Sequence, residues 1–399
     1  MKTSGRGDVR VLLVALEAPL PPLNGLRLPL VHVWRHVRQR HEARLVGYRM
    51  PDQLDPAPPD VRLVDLAGGG RAAVAARLAS ATVRRRPLNA DRFAAGLLPA
   101  LTEELEQFYP DVVHVFSGRL AGVSAVLRRR PAVLTALDAW HLHADTRAAV
   151  SSGLRRRMLR AEAARVRRFE ATTYRRFDRV TMVTRQDADA LLEVSPDLRI
   201  TVVPNGVDAG AFPHTATLRG SRIAFHGIMS YEPNVVAAQF LAREVLPRVR
   251  ARRPEAHLVL VGREPAPEVR TLAALEGVTV TGGVDDVVPW LTDSRAYACP
   301  MLSGTGIKNK LLEAMATGLP CVVTPLAAQG LDVADGRELL VRTDVDAVAH
   351  GLLQVLDDDD LASSLGLAGR RYVVDHHSWE AVGRTYEALY REVLVRRGT

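Results

Sequence analysis

The apolar positions of the chain fall into two successive series of short runs, separated by longer stretches with helical spacing. In the first half the runs are VRVLLVAL from residue 9, ARLVGY from 43, VRLVDL from 61, DVVHVF from 111, AVLTAL from 132 and RVTMV from 179. Each has the length and residue types of a strand and is followed by a loop or a helical pattern, which predicts βα units on a mostly parallel sheet. The series stops in ITVVPNGVDAGAFPHTATLRGS, where Pro204-Asn205-Gly206 ends a strand and a polar, glycine-containing connection follows. A second series runs through RIAFHG at 222, a helix from about Pro233 to Arg252, HLVLVG at 257, VTVTGG at 278, AYACP at 296 and CVVTP at 321. Between the last two lies a predicted loop over Ser303 to Gly306 and a helix over Ile307 to Thr317, stopped by Gly318. From Trp379 onward, Val382, Tyr386, Leu389, Tyr390, Val393 and Leu394 recur at helical spacing, so a final helix buries one face.

Two α/β series in 399 residues exceed what one core serves. They predict two Rossmann-like sheets facing each other across a cleft, with a first domain over residues 1–203, a second over 204–376, and a final helical segment over 377–399. The longest apolar runs fall short of the roughly 20 residues a helix needs to span a bilayer. The first residues, MKTSGRGDVR, lead into a strand without an apolar signal core, so a cytoplasmic protein is expected. Cys299 and Cys321 sit in apolar runs without metal-ligand spacing and read as buried, reduced thiols. The formal charge of +8 invites a polyanionic partner. With aromatic residues at only 5%, base stacking has little to work with, and nucleic acid is not expected. Two basic helical regions, HVWRHVRQRHEAR and LRRRMLRAEAARVRRFEATTYRRFDR, suit either contact with an anionic membrane or acceptor, or a solvated face in which Glu162 and Glu170 pair with arginines.

Chemistry concentrates in SGTGIKNKLLEAMATGLPCVVTP, residues 303–325. A helix that starts beyond the carboxyl edge of a parallel sheet presents unpaired backbone N–H groups and the positive end of its dipole, which together make an anion site. Gly304 and Gly306 allow close backbone approach to a phosphate or sugar, and Lys308 and Lys310 add full charges. One turn beyond Lys310, Glu313 points the same way, and a carboxylate there can accept both hydrogen bonds of a vicinal diol. Phosphate donors beside a diol acceptor describe a nucleotide-sugar pocket. The competing reading is a surface helix with a Lys310–Glu313 pair worth about 0.2–0.5 kcal/mol.

Read in order, PNGVD at 204, RIAFHGIMSYEPNVVAAQFL at 222, LVLVGREP at 258, VTVTGGVDDV at 278 and GIKNKLLEAMATGLPCVVTP at 306 resemble the donor-binding half of retaining GT-B glycosyltransferases of family 4. The segment HHSWEAVGRTYEALY resembles the terminal stretch of that family, whose last helix crosses back to the first domain. The resemblance covers residues 200–395 well and the first half more loosely, and its Gly306-Ile307-Lys308-Asn309-Lys310 pattern is nearest an exopolysaccharide and secondary-metabolite subgroup. It implies that Glu313 binds the nucleotide ribose, that amides near Gly306 and Ile307 hold sugar hydroxyls, and that a lysine neutralises the diphosphate. Thr305 stands where many members carry a glutamate to the transferred sugar. Where relatives use an arginine and a lysine after the first strand of the second domain, this chain has His226, Gly227 and Asn234 in that stretch, so cationic help falls to Lys308, Lys310 or Arg263. Asn24, Gly25 and Arg27 fit the family's glycine loop near diphosphate and acceptor. Asp138 fits the aspartate of a His-Asp pair whose histidine position is Leu137, with His141 or His143 as a substitute.

The activity implied is transfer of a hexose-type sugar from a nucleoside diphosphate sugar, by default a UDP-sugar, to a hydroxyl acceptor with retention of configuration. Such an acceptor is a small molecule, a glycan or a glycolipid. No cofactor or metal is expected, since no Asp-x-Asp motif stands where a metal-dependent transferase needs one, and LDDDDL at 356–361 reads as a helix boundary. No Ser-His-Asp or paired-carboxylate constellation stands out. The alternatives are an epimerase on the same fold, which needs acid and base groups that are not assignable here, and a non-catalytic sugar-nucleotide or glycan-binding descendant.

Overall fold

The computed structural model describes residues 9–21, 27–53, 56–66, 86–87, 90–127, 130–149, 151–214, 220–304 and 306–398. The chain divides into two compact units, one made of residues 1–204 with 382–399 and the other of 205–381.

The first unit is built on strands β1 (Arg10–Ala15), β2 (Glu42–Tyr48), β3 (Val61–Val64), β4 (Val112–Phe116), β5 (Ala132–Leu137), β6 (Arg179–Met182) and β7 (Ile200–Val202). They form one sheet in the order β3-β2-β1-β4-β5-β6-β7. The pairings are parallel, with Leu13 of β1 opposite Leu45 of β2 on one side and His114 of β4 on the other. Val11, Leu12, Leu13 and Val14 are wholly buried because β1 has strands on both edges and helices on both faces, which is why it reads as an unbroken apolar run. The helices are α1 (Arg27–Arg38), α2 (Ala90–Gln107), α3 (Trp140–Ala149), α4 (Gly153–Thr173) and α5 (Arg185–Val194).

The second unit has strands β8 (Arg222–His226), β9 (His257–Val261), β10 (Val278–Val280), β11 (Ala296–Cys299), β12 (Cys321–Val323) and β13 (Leu340–Val341), again in a parallel sheet, ordered β10-β9-β8-β11-β12-β13. Its helices are α6 (Glu232–Phe240), α7 (Leu246–Arg250), α8 (Pro267–Arg270), α9 (Val288–Thr292), α10 (Asn309–Ala316), α11 (Pro325–Ala328), α12 (Val345–Asp357) and α13 (Asp359–His377). The helix predicted over Pro233 to Arg252 is present with a π turn at Leu241–Val245 joining α6 to α7. Pro247 lacks an N–H and crowds the carbonyl four residues back, and the wider π turn just before it relieves that conflict. Both cysteines are buried free thiols, and burial raises their pKa values, that of Cys299 to about 11. Asp358 caps α13 by accepting from the Leu361 N–H, so LDDDDL is the boundary between α12 and α13.

The last helix, α14 (Trp379–Gly398), belongs to the first unit from Val382 onward. Its apolar face is buried, and a polar network fixes it: the Tyr390 hydroxyl meets His114 Nδ1 at 2.6 Å, His114 Nε2 meets Thr135 Oγ1 at 2.7 Å, and the Tyr386 hydroxyl meets Thr135 at 3.0 Å. Burial of the His114 ring disfavours its charged form and pushes its pKa down to about 3. His36 Nε2 adds a 3.0 Å contact to Glu387.

Candidate functional site

In the second sheet the strand order turns back on itself between β8 and β11, the topological switch point at which open parallel sheets bind ligands beyond their carboxyl ends. Strand β8 ends at His226 and α10 enters beside it. His226 Nε2 donates to Glu313 Oε2 at 2.7 Å. The other Glu313 oxygen has no partner among the described residues, and the side chain keeps 25% of its surface exposed, so one half of the carboxylate is held and the other half is open. The Lys310–Glu313 pair of the competing surface-helix reading does not form. Lys310 Nζ instead donates to Asn234 Oδ1, approaches the Met301 sulfur at 3.9 Å and lies 4.9 Å from the centre of the Phe225 ring. Burial lowers the Lys310 pKa from its ordinary value.

Gly227 makes this geometry available. Its φ of 153° suits glycine, and a Cβ there would stand 2.8 Å from Asn234 Nδ2 and 3.2 Å from Lys310 Nζ. Gly262, at the end of β9, lies against the Gly227 carbonyl so tightly that a Cβ would come within 1.7 Å of it. Asn234 Nδ2 donates to the Ile228 carbonyl at 2.8 Å, which turns the Oδ1 toward Lys310. The result is a bare stretch of backbone with one ammonium beside it and one half-open carboxylate a turn away.

The loop before α10 differs from the sequence reading at two points. The helix starts at Asn309, because Ile307 and Lys308 remain outside it, with Lys308 extended at the cap position. The Lys308 ammonium then turns back onto its own loop, donating to the carbonyls of Gly304 at 3.3 Å and Gly306 at 2.6 Å. It is only 7% exposed, and burial lowers its pKa, so its charge stiffens the loop instead of standing free beside Lys310. Gly304 and Gly306 adopt φ values of 103° and 73°, and Ile307 is buried beneath them. Thr305 lies outside the described residues. Asn309 Oδ1 accepts from Asn205 Nδ2 at 3.1 Å, tying the helix start to the PNGVD loop, whose Asn205 carbonyl meets His377 Nδ1 at 3.0 Å. Arg263 follows β9, is exposed, and its carbonyl accepts from the Met229 N–H at 2.9 Å.

The remaining predicted residues lie in the first unit. Asn24 and Gly25 fall outside the described residues. Arg27 is a buried clamp, with Nε on Glu17 at 2.8 Å and both Nη atoms on Asp52 at 2.8 and 2.9 Å, so it is not available as an open phosphate ligand. His141 is 2% exposed, and its Nδ1 lies 2.7 Å from Glu170, whose other oxygen accepts from the Trp140 N–H. Burial raises the Glu170 pKa. His141 therefore anchors α3 to α4 and does not pair with Asp138. It is His143 whose Nε2 reaches Asp138 Oδ2, at 2.8 Å, and that carboxylate raises the His143 pKa. Asp138, Leu137, Ser117 and Arg119 border a recess of about 50 Å³ at the carboxyl ends of β4 and β5. Ser117 and Leu137 hold φ at 99° and 73° there, strained values that aim the backbone into the recess. Sequence reasoning missed His226 as the partner of Glu313, and its location at the end of the first strand of the second series was the available signal.

Comparison with known proteins places both halves among glycosyltransferases. Residues 31–210 match the family model described as Glycosyltransferase Family 4, and residues 220–358 match Glycosyl transferases group 1. A phosphatidyl-myo-inositol mannosyltransferase of Mycolicibacterium smegmatis is 32% identical over 203 residues, 48% of this chain and 51% of that protein. A GDP-mannose-dependent alpha-(1-6)-phosphatidylinositol monomannoside mannosyltransferase of the same organism is 27% identical over 243 residues, 55% of this chain and 63% of that one. The matched region thus spans about half the length of the first of these relatives. Among solved structures, sucrose-phosphate synthase from Thermosynechococcus elongatus superposes with a TM-score of 0.69 at 17% identity, covering 97% of this chain and 100% of that one. The two parallel-sheet units have the GT-B fold.

Proposed function

We propose that the chain is a retaining glycosyltransferase that takes a hexose from a nucleoside diphosphate sugar and delivers it to a hydroxyl acceptor. The observation that carries this reading is the Glu313 carboxylate at the switch point, with one oxygen held by His226 and the other open, a turn from Lys310 and bare backbone at Gly227. In this assignment the open oxygen accepts from the ribose hydroxyls. Lys310 and the N-terminal amides of α10 neutralise the diphosphate, and their attraction grows as charge develops on it during departure. The departing phosphate oxygen takes the acceptor proton on the same face of the sugar, so the protein supplies positioning and charge with no covalent intermediate and no metal. The match to mannosyltransferases, one of them named for GDP-mannose, puts GDP-mannose ahead of the UDP-sugar that is the general default and makes an inositol lipid the first acceptor to try.

The test is turnover: release of nucleoside diphosphate from GDP-mannose and UDP-glucose, with and without phosphatidylinositol, and the anomeric configuration of the product by NMR. Acceptor-dependent release with an α-linked product is expected. A protein that binds nucleotide and consumes no donor with any hydroxyl acceptor would be a binding descendant of the transferases.

A further inference from the structure

Behind the candidate donor site, two buried polar atoms have no hydrogen-bond partner among the described residues: His226 Nδ1 and the Tyr297 hydroxyl. Buried polar groups are nearly always satisfied, so two left over at one place call for a reason. The sheet makes the two side chains neighbours. Tyr297 of β11 stands opposite Ala224 of β8, and His226 lies two residues further along β8 on the same face. Their rings meet edge-on, with centres 5.4 Å apart and planes at 60°. His226 is 6% exposed and Tyr297 is wholly buried. Burial lifts the Tyr297 pKa well above its ordinary value, so the hydroxyl keeps its proton, and its oxygen faces the His226 backbone N–H, which acts in the opposite direction.

We propose that Tyr297 is a positioning residue of the donor site, whose hydroxyl proton is directed at His226 Nδ1 and holds the ring in the tautomer that carries its hydrogen on Nε2. The inference rests on the nucleotide-sugar reading of Glu313 given above. A tyrosine hydroxyl can donate or accept, and a neutral imidazole can carry its hydrogen on either nitrogen. Here the choice is made from both ends. The His226 backbone N–H takes the acceptor side of the Tyr297 oxygen, which leaves the hydroxyl proton for Nδ1. On the far side of the ring, Glu313 Oε2 lies 2.7 Å from Nε2, and a carboxylate accepts a hydrogen and offers none. Donation therefore runs one way, from backbone N–H to hydroxyl to ring to carboxylate, whether the hydroxyl and Nδ1 touch directly or share one water. Each bond in such a chain strengthens the next, so Tyr297 fixes one Glu313 oxygen through His226 and leaves the other for the ribose.

The experiment takes two readouts on the full chain carrying nitrogen-15 in its histidines, at about pH 8, above the ordinary histidine range. One is the ring-nitrogen NMR shifts, where the His226 signal is the one that His226→Gln removes, and the other is calorimetric affinity for GDP and UDP. In the wild type, Nδ1 is expected at the position of a bare nitrogen and Nε2 at that of an N–H. Tyr297→Phe keeps the ring and its packing, so it should melt as the wild type does while His226 shifts toward a mixture of tautomers. Nucleotide affinity should fall by about three- to tenfold, the loss of one ordinary hydrogen bond. In the His226→Gln background the same change should have no further effect, because Tyr297 acts only through the imidazole. The proposal is overturned by a wild-type Nδ1 that carries the hydrogen, by a phenylalanine variant that keeps the wild-type tautomer or the wild-type affinity, or by an equal loss of affinity in the His226→Gln background. If the wild-type chain binds neither nucleotide, the donor reading fails, and the ring-nitrogen shifts still decide whether Tyr297 sets the His226 tautomer.

Discussion

Of the 53 basic residues only three are lysines, and two of those three, Lys308 and Lys310, stand at the start of α10. A lysine is a compact point charge on a slim stem, and a guanidinium is a broad plane. Lys308 reaches the two loop carbonyls, and Lys310 threads between Asn234 and the Phe225 ring, in spaces shaped for an ammonium. Lys310→Arg is therefore expected to lose nucleotide affinity about as fully as Lys310→Met, roughly tenfold or more by titration calorimetry, and wild-type affinity in the arginine variant would contradict the assignment. His226 acts through Glu313. A hydrogen bond to a charged group is worth about 1.5–3 kcal/mol, so His226→Phe should weaken nucleotide binding by about tenfold or more, and His226→Gln, which still offers an N–H, should recover much of it. Equal losses in both variants would mean that the ring only fills space. The motif around Lys310 and Glu313 was legible in the sequence because its spacing is local to one helix. The His226–Glu313 contact was not, since it joins positions 87 residues apart through the sheet order.

At the scale of elements, the final helix shows the same division. Its apolar face was legible from periodicity, and Val382, Tyr386, Leu389, Tyr390 and Val393 are buried as that spacing requires. At about 1.5–3 kcal/mol for each buried side chain, the face contributes on the order of 10 kcal/mol, comparable with the whole stability of an ordinary domain. Truncation before Trp379 should therefore unfold the first unit, seen as loss of its calorimetric transition; a shortened chain that keeps both transitions would contradict this. The polar network under the helix was not legible, because His114 and Tyr390 lie 276 residues apart and nothing local marks either. It carries a pH signature. A histidine held near pKa 3 when folded and near 6.5 when unfolded binds its proton preferentially in the unfolded chain, so folding stability falls as pH drops from about 6.5 toward 3. The slope from this group approaches about 1.4 kcal/mol per pH unit. His114→Gln should flatten the acid side of the melting profile by that amount, and an unchanged slope would show that His114 is not the group responsible.

For the whole molecule, two series of βα units were legible because strand and helix periods alternate twice along the chain, with Pro204-Asn205-Gly206 between them. Sheet order and the residues meeting at each carboxyl edge follow from long-range pairing, which periodicity does not encode. The correction at Arg27 is of this kind: its neighbours in sequence suggested a phosphate loop, and its partners in space, Glu17 on Nε and Asp52 on both Nη atoms, hold its guanidinium. The central proposal is that β8, Gly227, Lys310 and Glu313 of the second unit form a nucleotide-sugar site. Its most direct test is thermal unfolding with UDP, GDP, dTDP and ADP, run on the native chain and on Glu313→Ala. At about 100 times Kd a ligand stabilises by about 2.7 kcal/mol, roughly 5 to 10 °C for a unit of this size. A rise of that order with one nucleotide, GDP foremost, and its loss in Glu313→Ala are predicted; no rise with any nucleotide, or an equal rise in the variant, would contradict the account.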